Sequence, residues 1–153
     1  MPQVLIRSHD ACAELVKNSP EQYHVILITN PYKPFYSPKL HDIVAQAKSS
    51  LVLEFFDYEF ETESRPIVSE DQIKKALSWS EGKDPIVCSC HAGVSRSSAM
   101  AYVLRCTYLN PDEALSILSY GSHYPNARVI EFGSKLLNKP EMVSLIREWK
   151  KIG

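Results

Sequence analysis

Cys90 and Arg96 bracket a short loop in the stretch CSCHAGVSRSS, residues 88–98. An ionised thiol is a strong nucleophile, and a guanidinium is a planar fork of donors that matches two oxygens of one phosphate. Between them Gly93 permits a bend that a Cβ would resist. No acid intervenes, so the backbone N–H groups of His91, Ala92, Gly93, Val94, Ser95 and Arg96 can turn inward as an anion cradle where a helix begins. A thiolate beneath a phosphate bound there is aimed at phosphorus.

The flanking residues must hold that loop at a sheet edge. Four apolar runs read as strands: QVLI, HVILIT (24–29), LVLEFF (51–56) and PIVCS (85–89). They are continuous rather than alternating, which predicts a mostly parallel sheet of about four to five strands covered on both faces. In such sheets ligands lie outside the carboxyl ends of strands, where Cys90 falls. SEDQIKKALSW carries the capping-box pair Ser69 and Gln72, with Asp71 as first-turn charge. SSAMAYVLRCTYL (97–109) has Arg105 as its only charge and predicts a buried helix. Pro111 can begin the next helix, PDEALSILSY, and Asn126 can cap ARVIEFGSKLL before a last helix, PEMVSLIREWKK. The expectation is one α/β domain over residues 1–153 with a helical C-terminal half.

CHAGVSRS resembles the signature of the cysteine-dependent protein tyrosine phosphatases, in particular the small dual-specificity type. PDEALSILSYGSHYPNARVIEF resembles the same family's short helix and Pro-Asn turn, so that the likeness runs over residues 51–133. It implies that Cys90 is the nucleophile and Arg96 the phosphate clamp. Ser97 would stabilise the thiolate when a phosphocysteine is hydrolysed, and Asn126 would brace the loop. It implies no metal or other cofactor, a phosphorylated protein or other phosphomonoester as substrate, and inhibition by phosphate, sulfate or vanadate. The sequence departs from the family at Ser89, where a His normally precedes the nucleophile and holds the loop.

A leaving oxygen needs a proton, so an acid should face Cys90. Asp57 follows LVLEFF directly, as the family's general acid follows a strand, and Glu59, Glu61 and Glu63 are its neighbours in DYEFETESRP. Other candidates read more plainly. Cys88 is expected as a small core residue; a redox bridge to Cys90 two residues away would be strained. Cys88, Cys90 and His91 lack a fourth metal ligand, and the His-Asp pairs at 9–10 and 41–42 read as surface helix ends. His91 reads as solvent-facing. Tyr32, Phe35 and Tyr36 form an aromatic, Pro-rich loop that could line the pocket mouth or simply pack.

At 44% hydrophobic and 23% charged, with a net charge of −1, the chain has no field for binding nucleic acid through bulk charge. Four cysteines in 153 residues do not make a disulfide scaffold, and no run suggests a signal peptide or a membrane span. The expected setting is a reducing, cytoplasmic one without membrane attachment. The sequence thus points to a phosphomonoester hydrolase working through a phosphocysteine. Alternatives on the same loop are an RNA, nucleotide or phosphoinositide phosphatase, and a module that binds phosphate without hydrolysis.

Overall fold

The computed structural model describes residues 2–31, 37–60 and 66–152. Its four strands are β1 (Val4–Ser8), β2 (His24–Thr29), β3 (Ser49–Glu54) and β4 (Ile86–Cys90). They form one sheet in the order β1-β4-β2-β3, parallel at every pairing. The runs read from the sequence are all present, with shifted ends. β3 begins at Ser49 because its two serines pair with His24 and Val25 of β2, and β4 runs through Cys90, which pairs with Ser8.

Helices cover both faces. Cys12 and Val16 of α1 (His9–Asn18) and Leu40 and Ile43 of α2 (Pro38–Gln46) pack on Val25, Leu27 and Val87. The opposite face carries α3 (Glu70–Ser80), α4 (Arg96–Arg105) and α6 (Ala127–Leu137), whose apolar residues join Ile26, Ile28, Leu51, Leu53 and Cys88 in the larger core. Ser69 and Gln72 close a capping box on α3. Every residue of α4 from Arg96 to Leu104 is buried, as expected of a helix with so little charge. It stops earlier than expected, at Arg105, with Cys106 as its cap. The stretch expected as one helix from Pro111 is shorter: α5 (Pro111–Ala114) and a single 3₁₀ turn, Leu115–Ile117. The last helix, α7 (Glu141–Ile152), lays Met142, Ile146 and Trp149 on the core.

Candidate active site

The carboxyl ends of the four strands lie along one edge of the sheet, and residues from all four junctions meet there. Cys90 ends β4 at 2% exposure. The chain turns through residues 91–95 and enters α4 at Arg96. Gly93 is what the turn requires. Its φ is +71°, and a Cβ there would lie 2.6 Å from the Ser8 amide nitrogen and 2.9 Å from the Arg7 carbonyl carbon. The loop therefore rests directly on the β1–α1 junction, where the His9 N–H also points at the His91 carbonyl (3.4 Å). The Cys90 Sγ is 3.1 Å from Ser97 Oγ, inside the first turn of α4, and Ser97 is fully buried.

Arg96 is 6% exposed. Its Nη1 donates to Asn30 Oδ1 (2.9 Å), just past β2, and to the Phe55 carbonyl (2.8 Å), just past β3. A guanidinium only donates, so Asn30 must present its oxygen. Both acceptors are neutral, and no ion pair to Arg96 forms among the described residues. The Nε of Arg96 is buried with no hydrogen-bond partner among the described residues. A buried donor left unpaired costs about 1–3 kcal/mol; a bound oxyanion would satisfy it. Asn30 was not among the residues singled out from the sequence. Its one signal is its place immediately after a strand in the half of the chain before the loop.

Asp57 lies three residues beyond β3, and its Oδ1 accepts from Ser95 Oγ (2.7 Å) and Asn126 Nδ2 (2.9 Å). Asn126, 1% exposed, also caps α6: its Oδ1 accepts from the Arg128 and Val129 amides at 3.0 and 3.1 Å. Its own N–H donates to the Ser95 carbonyl (3.1 Å). One side chain thus joins the loop, the acid segment and α6. Glu59 is turned away from such work, its Oε1 accepting from the Ala127 amide at the start of α6 (3.1 Å). Glu61, Glu63, Tyr32, Phe35 and Tyr36 lie outside the described residues.

Ser89 is fully buried and points toward α1, where the Cys12 thiol lies against its hydroxyl, which otherwise has no hydrogen-bond partner. Burial pushes Cys12 up to about 11 and raises Cys88 as well, so both thiols stay protonated and are core residues. His91 is exposed, as expected. His9 is a correction: it is no surface helix end but 9% exposed, with its Nε2 hydrogen-bonded to the Ile28 carbonyl (2.9 Å) and its ring edge-on to His91. Burial lowers its pKa, and the Arg96 charge adds to that, which favours the neutral ring. Ser8 takes the cap of α1, which frees His9 to turn inward. The pair at His41 and Asp42 is exposed on α2. Among the described residues no three His, Cys, Asp or Glu side chains converge as a metal site, and no helix is long and apolar enough to cross a membrane.

Solved structures with this arrangement of strands and helices are known. Human DUSP28 superposes with a TM-score of 0.59 at 16% identity, over 92% of this chain and 95% of that one. The fold is that of the dual-specificity phosphatases. A human tyrosine phosphatase-like serine/threonine/tyrosine-interacting protein gives 0.61 at 15% identity, over 95% of each chain. A mouse putative dual specificity phosphatase, solved with zinc tungstate, gives 0.59 at 16%, over 94% of this chain and 86% of that one. No family model and no curated protein matches the sequence. The shared dual-specificity phosphatase fold explains why the loop, the acid segment and the α6 cap, which are far apart in sequence, meet at one sheet edge.

Proposed function

We propose that the protein hydrolyses phosphomonoesters through a phosphocysteine, acting on phosphorylated protein. The observation that carries this reading is the buried Arg96, whose charge has no carboxylate partner and whose Nε is unpaired beside a Cys–Ser pair at a helix start. A dianionic phosphoryl group fits all of these. The Arg96 edge bearing Nε and Nη2 would take two of its oxygens, with the loop amides of residues 91–96 around the remainder. The mouse relative solved with tungstate holds an oxyanion of the same shape.

In the first step the Cys90 thiolate attacks phosphorus. The S–P bond forms as the bond to the leaving oxygen breaks, and that oxygen takes the proton of Asp57. In the second step Asp57, now a carboxylate, removes a proton from water, whose oxygen attacks phosphorus. The S–P bond breaks, and the returning thiolate is stabilised by the Ser97 hydroxyl. Asn126 and Ser95 keep the acid facing the loop through both steps.

The test is turnover of 4-nitrophenyl phosphate by the wild type beside Cys90→Ser, with tungstate affinity measured for both. Cys90→Ser should lose turnover and keep tungstate binding, because Arg96 and the loop amides remain. Activity within tenfold of wild type would end the phosphocysteine mechanism. Tungstate binding without turnover in the wild type would instead favour a phosphate-recognition module.

A further inference from the structure

A cavity of about 270 Å³ opens beside the phosphate loop, lined by Val94, Tyr120, His123, Tyr124, Trp149 and Lys150 among others. Val94 belongs to the loop itself, and 37% of its surface is exposed. The far wall is stitched to it, since the Tyr124 N–H donates to the Val94 carbonyl (2.9 Å). α7 supplies the other side. Trp149, 6% exposed, stacks under Tyr120 with ring centroids 4.6 Å apart and planes at 16°. The Lys150 ammonium stands 4.4 Å from the Tyr124 ring centroid, a cation–π contact that places the charge at the groove.

Among the described residues that line this groove, Lys150 alone carries a full charge. No carboxylate among the described residues lines it. His123 accepts the Ser119 N–H on its Nδ1 and is driven toward the neutral ring by burial. The two acids whose charge reaches Lys150 are Glu59 and Asp57, and both are bonded elsewhere, Glu59 to the Ala127 amide and Asp57 to Ser95 and Asn126. Lys150 has no ion pair among the described residues. Whatever fills the groove is continuous with whatever puts its phosphate on the loop, because Val94 borders both. Aromatic walls suit an aliphatic stem, and a single unpaired ammonium suits one carboxylate.

We infer that this groove is a specificity subsite for the carboxylate side chain of an aspartate or glutamate flanking the phosphorylated residue, with Lys150 as its ion-pair partner. The inference rests on the phosphatase reading above and deepens it to acidic phosphopeptides.

The experiment uses phosphopeptides that carry one glutamate, or glutamine or lysine in its place, at successive positions either side of the phosphorylated residue. Each is measured for kcat/KM with the wild type and for Kd with Cys90→Ser, alongside 4-nitrophenyl phosphate. At one or two positions glutamate should outperform glutamine by about three- to fivefold, the upper end for a partly exposed ion pair. Lys150→Met should erase that ratio while turnover of 4-nitrophenyl phosphate stays within twofold. Lys150→Glu should invert the preference, favouring a lysine at the same position. A glutamate preference that survives Lys150→Met would overturn the subsite. So would an equal loss on 4-nitrophenyl phosphate, which would make Lys150 a support for the Asp57 segment. If the wild type turns over nothing, the phosphatase reading fails alone, because the Kd series still reports the groove.

Discussion

Replacing Asn30 by leucine keeps the volume at the end of β2 and deletes only the acceptor for Arg96. In the native arrangement both protons of Nη1 are taken, by Asn30 at 2.9 Å and the Phe55 carbonyl at 2.8 Å, while Nε has no partner among the described residues. A hydrogen bond from a charged donor is worth about 1.5–3 kcal/mol. At 1.4 kcal/mol per decade, its loss should lower kcat/KM by about tenfold to a hundredfold. Vanadate, which has the geometry of the reacting phosphoryl group, should weaken by a similar factor. The assay is steady-state hydrolysis of 4-nitrophenyl phosphate with vanadate inhibition, beside a melting curve. Asn30→Asp should recover part of the loss, since it restores an acceptor, but not all, since its charge opposes the incoming anion. If Asn30→Leu stays folded and binds vanadate within threefold of wild type, or if it lowers the melting temperature and leaves vanadate affinity intact, Asn30 merely packs and does not orient the clamp.

Asp57→Asn should cost about 10² to 10⁴ in rate on phosphoserine or phosphotyrosine peptides, much less on 4-nitrophenyl phosphate, and should remove the alkaline limb of the kcat/KM profile. An equal loss on both substrates with the bell shape retained would move the acid elsewhere. Gly93→Ala places a side chain at φ +71° against the Arg7–Ser8 backbone. The left-handed conformation alone costs about 1–2 kcal/mol, so melting should fall by about 2–8 °C with loss of vanadate binding. Ser89→His, which would restore the residue usual in related loops, should destabilise by about 1–3 kcal/mol, because Cys12 fills the space beside it. Adding Cys12→Ala should recover part of that cost, and strictly additive melting shifts would show that the two positions do not share one space.

The strand–loop–helix that carries Cys90 and Arg96 was legible because its signal is contiguous: fixed spacing within one loop, flanked by two apolar segments. Asp57 was legible more weakly, from its place after a strand, and Asn126 from the cap it makes for α6. Asn30 carried no such sign. It acts across 66 residues of sequence, and a single amide after a strand has no spacing to read. His9 misled for a related reason. A polar pair at a helix start ordinarily faces solvent, but the Ile28 carbonyl beyond the sheet edge offers the ring a buried partner that only the strand order reveals. The early end of α4 and the 3₁₀ turn after α5 were likewise settled by packing against other elements rather than by local preference.

The seating of Gly93 on the backbone of Arg7 and Ser8 makes the loop of residues 91–95 a tenant of β1, which is an edge strand with a single neighbour, β4. Edge strands open at lower free energy than central ones. Each time the β1–β4 ladder frays at its carboxyl end, the floor beneath Gly93 leaves with it, and the loop loses its curvature although Cys90 and Arg96 remain attached to the core. Amide exchange along Ile6–Ser8 should therefore keep time with exchange in the loop.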